Sequence, residues 1–73
     1  MAEMEPEDWV RMFCERLGVE EPPPHEVEEL LSIAATAAHD SQRLAAPIAT
    51  WAAGRSGRPA AELREIAEEI AAG

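Results

Sequence analysis

The sequence predicts an all-α fold, a small bundle of four short helices, and three observations support this prediction. Fifteen of the 73 residues are alanine, while tyrosine is absent and the chain has one phenylalanine and two tryptophans. Strands prefer β-branched and aromatic residues, so this composition disfavours a sheet. Apolar residues recur every three or four positions, which is the period of a helix. The length allows only one core, so residues 1–73 are predicted to form a single helical domain, with residues 1–5 as a disordered tail.

The first predicted helix covers about residues 7–17 and is followed by a proline-rich connector. Pro6 suits the start of a helix. The amide hydrogens of the first turn have no partner within the helix, so a proline there, which lacks an amide hydrogen, costs no hydrogen bond. Gly18 supplies the stop. The apolar stripe recurs every four residues at Trp9, Phe13 and Leu17. Three consecutive prolines at 22–24 exclude a helix there and predict a stiff, extended corner.

Three further helices follow the connector. The second covers about residues 25–39, and the small residues of its second half favour close packing against another helix. The third is predicted to start at Pro47, cover 47–53 and end before Gly54, and the fourth covers 59–72. The apolar stripes of the second and fourth helices are Val27, Leu30, Leu31, Ala34 and Ala38, and Leu63, Ile66, Ala67 and Ile70.

Charge is strongly acidic and unevenly distributed. Fifteen Asp and Glu residues against six Arg give a net charge of −9, which repels phosphate backbones and anionic lipid and so disfavours nucleic acid and membranes as partners. Residues 1–29 carry −8, residues 30–61 carry +2 and residues 62–73 carry −3. An anionic ligand or acidic partner is therefore expected near the middle of the chain, at Arg43, Arg55 and Arg58.

The sequence lacks the usual signatures of catalysis and of cofactor or metal binding. It has no glycine-rich phosphate loop, no cysteine pair for zinc, no HExxH and no nucleophile elbow. We therefore expect no enzymatic activity, no cofactor and no metal. The single Cys14 is interpreted as a small buried apolar residue. No run of about 18 apolar residues occurs and the N-terminus is acidic, so the expected location is the cytoplasm.

One polar cluster stands out between the second and third helices: His39, Asp40, Arg43, Pro47 and Thr50. Two interpretations are open. The favoured one is structural, with His39 and Arg43 satisfying the exposed carbonyl groups at the end of the second helix. The functional one is a cationic notch that binds a carboxylate or phosphate.

The two tryptophans also allow two interpretations. Trp9 heads the apolar stripe of the first helix, where it either lies in the core or stacks on a ligand, and the core is favoured. Trp51 lies among alanines on a short helix, where it either fills the core or anchors a partner protein. The core position is favoured for Trp51 as well.

Residues spread over about 7–54 resemble the sequence pattern of a known family, and most of the similarity lies in the segment AAHDSQRLAAPIATWAAG. The residues are Trp9, Cys14, Leu17, Gly18, Leu30, Leu31, Ala38, His39, Arg43, Ala46, Pro47, Thr50 and Gly54. They resemble a small all-helical actinobacterial domain of unknown function, which occurs alone or attached to the C-terminal side of molybdenum cofactor guanylyltransferase. The sequence departs from that pattern at Leu44, where the family usually has proline, and at Ala49 and Trp51.

The resemblance and the thin, alanine-rich core together give the leading functional hypothesis. The chain is expected to be a non-enzymatic helical accessory or adaptor protein, or a small subunit, linked to molybdenum cofactor biosynthesis or molybdoenzyme maturation. The implied partners are a guanylyltransferase, a molybdoenzyme or a cofactor carrier, with a homo-oligomer as another option. The alternative is a module that uses His39 and Arg43 to bind a pterin or nucleotide phosphate.

Overall fold

The computed structural model describes residues 4–73, which form four α-helices and no strand. This confirms the all-α class. The helices, numbered in chain order, are α1 (Pro6–Leu17), α2 (Pro24–Asp40), α3 (Ala45–Ser56) and α4 (Ala60–Ala72). The prediction that the prolines at 22–24 exclude a helix is wrong at Pro24, which begins α2, because the first turn of a helix tolerates proline. The radius of gyration of the Cα atoms is 13.2 Å. Residues 1–3 of the predicted disordered tail lie outside the described residues, and Met4 and Glu5 precede α1 without helical structure.

The ends of α1 follow the signals in the sequence. Pro6 is the first helical residue, and Glu7 and Asp8 place negative charge in the first turn, where the helix dipole favours it. Gly18 adopts the left-handed conformation with φ 75°. The amides of Gly18 and Val19 then donate to helix carbonyl groups at 3.2 and 3.0 Å, which satisfies two of the acceptors that a helix end leaves unpaired.

Helix α3 is longer than predicted at both ends. It begins at Ala45 rather than at Pro47, because a proline is tolerated in the first turn, where amide hydrogens have no partner within the helix. It also continues through Gly54 to Ser56, so the predicted stop at Gly54 is wrong. The residue that ends α3 is Gly57, which has the left-handed φ of 73°.

The two glycines of this region give a matched pair for a stability test. Gly57→Ala is expected to lower the free energy of unfolding by about 1–2 kcal/mol, because a Cβ disfavours the left-handed conformation. Gly54→Ala is expected to raise it by about 0.5–1 kcal/mol, because Gly54 lies inside a helix and a Cβ there meets no atom within 4 Å. Urea unfolding followed by circular dichroism measures both. Equal effects of the two substitutions would contradict this assignment of the end of α3.

Helix α2 is the centre of the fold, and the extensive helix contacts within residues 4–73 are those of α2 with α3 and with α4. Ile33 of α2 and Ala53 of α3 are buried. An ion pair between Arg64 of α4 and Glu29 of α2, with Nε and Oε2 3.1 Å apart, also joins these two helices. Both side chains are partly exposed, so we expect this pair to contribute no more than about 1 kcal/mol.

The core is thin, and α1 lies at its margin. Among the described residues only Cys14, Ile33 and Ala53 are buried apolar residues. The burial of Cys14 agrees with its interpretation as a small apolar residue. Within residues 4–73, α1 makes no contact with another helix as extensive as those of α2 with α3 and α4. No helix in this range is both long enough and apolar enough to cross a membrane.

Candidate protein-interaction surface

Helix α1 and the first half of α2 expose a group of large apolar side chains, which we call the α1–α2 surface. Its members are Trp9, Val10, Phe13, Leu17, Val27 and Leu31. The rings of Trp9 and Phe13 stack in a tilted arrangement with their centroids 5.1 Å apart. Single exposed apolar residues are normal on a protein surface, whereas a group of them that includes aromatic rings is typical of an interaction site.

Part of the α1–α2 surface forms an open cleft of about 770 Å³ between α1, the proline connector and α2. The cleft has apolar walls and an acidic rim. Its apolar lining residues are Pro6, Val10, Pro22, Pro24, Val27 and Leu31, and its acidic ones are Glu5, Glu7 and Glu21. The cleft therefore suits an apolar group whose edges carry positive charge.

The charges around the cleft are only partly neutralised. Arg11 pairs with Asp8 at 2.9 Å and more loosely with Glu21 at 3.7 Å. The hydrogen bond to Asp8 and the negative charge of Asp8 raise the pKa of Arg11, so this guanidinium stays charged. Glu5 and Glu7 have no cationic partner among residues 4–73, which leaves the rim negative.

Both tryptophans were predicted to lie in the core, and both predictions are wrong. The exposed fraction is 55% for Trp9 and 64% for Trp51. Trp9 stays exposed because no helix among residues 4–73 packs extensively over the apolar stripe of α1. Trp51 lies on the outward side of α3, where the guanidinium of Arg55 lies 5.3 Å from the centre of its ring. Trp51 is thus accessible, as a partner anchor must be, but its role as an anchor stays a prediction.

The predicted polar cluster is only partly brought together. His39 and Asp40 line a shallow, open depression of about 420 Å³ beside the end of α4, together with Ala35, Thr36 and Ala71. Arg43 and Thr50 do not line it. The Thr50 hydroxyl instead donates within α3, to the carbonyl oxygens of Ala46 at 3.1 Å and Pro47 at 3.0 Å. Thr50 therefore has a structural role in this helix.

The structural interpretation of His39 and Arg43 is not realised by a direct contact. Their side chains make no hydrogen bond or ion pair with any residue of the described range. The amide of Ser41 satisfies one carbonyl group at the end of α2, that of Ala37, at 3.1 Å. The anion-binding hypothesis stays a prediction. In the part of the chain that the structure describes, no group of three or more His, Cys, Asp or Glu side chains could hold a metal ion.

The acid-rimmed cleft was missed by the sequence analysis. Its residues come from the ends of two helices and from the connector between them, so no single periodic pattern contains them. A signal was nevertheless present, because acidic residues flank apolar ones on both sides of the three prolines. A stiff corner brings such flanks face to face, and this is how Val10 and Val27, from opposite sides of the prolines, come to line the same cleft.

The fold and this surface define a small all-α domain with a thin core and an exposed, acid-edged apolar face. A family model described as Domain of unknown function (DUF6457) matches residues 1–72. The chain belongs to this family. The comparisons with curated proteins and with solved structures found no match.

Proposed function

We propose that this chain is a non-enzymatic accessory domain or small subunit that acts through protein–protein contact at the α1–α2 surface. The observation that carries the proposal is the exposure of the apolar face of α1. Trp9, Phe13 and Leu17 follow one stripe of the helix, and each is at least half exposed. An isolated domain gains little from an apolar stripe that its own core leaves exposed, whereas a partner protein that covers the stripe removes apolar area from water.

The size of the chain is sufficient for such an interface. A stable protein–protein contact buries roughly 800 Å² on each partner. That is about an eighth of the 6070 Å² that the surface of this domain offers. Interface free energy is concentrated in a few residues, with tryptophan among the most effective, and the stacked pair of Trp9 and Phe13 supplies such a centre.

The proposed partners belong to molybdenum cofactor metabolism: a cofactor guanylyltransferase, a cofactor carrier or a molybdoenzyme that receives the cofactor. The resemblance of the segment at 37–54 to a domain that occurs attached to the guanylyltransferase supports this assignment. The acidic charge of the chain supports a partner with a basic contact surface. The proposed location of this contact is the cytoplasm.

The experiment is a binding titration of the three candidate partners, purified from an actinobacterial source, against this chain. Isothermal calorimetry gives the affinity. The emission of Trp9, measured in a Trp51→Phe variant because Trp51 is also exposed, reports on contact, since an exposed indole shifts to the blue when a partner covers it. We expect one candidate to bind with a Kd of micromolar or tighter, about −8 kcal/mol. Absence of binding by all three would contradict the proposed link to the cofactor.

A further inference from the structure

Helix α3 presents a second apolar face without a partner. Its inward side consists of small residues, including Ala46, Ala49 and the buried Ala53, which lets α3 pack closely against α2. Its large apolar residues lie on the outside. We call this outer face the α3 stripe, and its members are Leu44, Ile48, Trp51 and Arg55, spaced so that they share one side of the helix.

The α3 stripe has the opposite charge to the cleft. The segment of α3 contains no acidic residue, and Arg43 and Arg55 have no carboxylate partner among residues 4–73. Arg58, by contrast, is paired with Glu62 at 3.0 Å. The stripe is thus an apolar helix face with unpaired positive charges. It complements the cleft, which has apolar walls and an acidic rim.

We propose that the two surfaces form one contact between copies of this chain, with the α3 stripe of one copy lying in the α1–α2 cleft of the next. The proposal rests on the proposed function in one respect, since it takes the α1–α2 surface to be a protein interface. The contact covers six exposed large apolar side chains: Val10, Val27 and Leu31 of one copy and Leu44, Ile48 and Trp51 of the other.

Charge favours this head-to-tail arrangement over a symmetric one. A cleft facing a second cleft would oppose the acidic rims, including Glu5 and Glu7, and like charges at an interface are unfavourable. The head-to-tail contact instead brings Arg43 and Arg55 towards those rims.

A head-to-tail contact leaves one cleft and one stripe unused at the ends of every open assembly, so it extends into a chain or closes into a ring. A partner that binds the cleft competes with the α3 stripe of the neighbouring copy. The binding of such a partner therefore shortens the assembly.

The test is a complementation experiment with two variants. Leu31→Asp places a charge in the cleft, and Ile48→Asp places one in the stripe. Both side chains are about two-thirds exposed, so both variants are expected to fold, which thermal unfolding checks. Ile70→Asp is the matched control, because Ile70 is equally exposed on α4 and belongs to neither surface.

Light scattering coupled to size-exclusion chromatography gives the expected result. The wild type and Ile70→Asp have masses above that of the 7.9 kDa chain, and these masses rise with concentration. Each of the other two variants alone is monomeric. An equal mixture of the two has one intact cleft and one intact stripe, so it forms a mixed dimer of twice the monomer mass and nothing larger.

Three results would overturn the head-to-tail contact: a wild type that stays monomeric at the highest soluble concentration, an Ile48→Asp variant that assembles like the wild type, or an equal mixture without a mixed dimer. Partner titrations separate this failure from that of the proposed function. If the wild type is monomeric but still binds a candidate partner, only the head-to-tail contact is contradicted. If the mixed dimer forms but no candidate partner binds, only the proposed link to the molybdenum cofactor is contradicted.

Discussion

Ile33→Ala is expected to lower the free energy of unfolding by about 2–4 kcal/mol, the largest effect of any single truncation in this chain. Ile33 is only 4% exposed and is the one large apolar side chain among the buried residues of the described range. Domains of this size rarely have more than about 3–5 kcal/mol of stability in total. The variant should therefore be substantially unfolded at room temperature, which far-ultraviolet circular dichroism and urea titration measure.

The control for this substitution lies two residues away on the same helix. Leu31 is 65% exposed, so Leu31→Ala removes little buried area and should change the free energy of unfolding by less than about 0.5 kcal/mol. The two residues have the same mass and differ mainly in burial. Similar losses of stability in the two variants would contradict the position of the core between α2 and its neighbours.

Trp9→Ala combined with Phe13→Ala is expected to abolish partner binding while leaving the domain folded. Central aromatic residues of an interface each contribute about 2–4 kcal/mol, which corresponds to a roughly 30-fold to 1000-fold weaker Kd. Both side chains are at least half exposed, so their loss should lower the free energy of unfolding by no more than about 1 kcal/mol. Calorimetric titration of the partner and urea unfolding of the variant provide the two measurements.

Ile70→Ala serves as the control for this double substitution, because it removes an exposed apolar side chain that lies far along the chain on α4. It should bind the partner as the wild type does. If the α1 double variant loses as much stability as Ile33→Ala, then Trp9 and Phe13 belong to the core and the interface assignment fails. A double variant that binds the partner with unchanged affinity would show that Trp9 and Phe13 are not part of the interface.

Local signals in the sequence were sufficient for most helix ends. Helix α1 begins at Pro6 and ends before Gly18, as predicted, because each of these residues acts through its own backbone and needs no distant contact. The end of α3 was missed because Gly54 and Gly57 lie three residues apart, and composition alone does not show which of them takes the left-handed conformation.

The exposure of the tryptophans could not be obtained from the sequence. Periodicity shows that Trp9 shares a face with Phe13, but it does not show whether another helix covers that face. For Trp51 the alanines of α3 were read as its surroundings in the core, whereas they are the contact with α2 and exclude a large ring from it. The cleft likewise depends on the angle at a corner, which no local pattern encodes.

The proline run at 22–24 has a thermodynamic consequence for any ligand of the cleft. Pro22 and Pro23 lie between α1 and α2, and Pro24 begins α2. Pro22 and Pro24 line the cleft, and each proline ring fixes one backbone angle of the segment that holds α1 and α2 apart. The conformational entropy of this segment is therefore lost mainly before binding rather than during it. A rigid corner thus lets a small domain with few buried residues keep its recognition surface open and ready, so that less of the contact energy is spent on ordering the site.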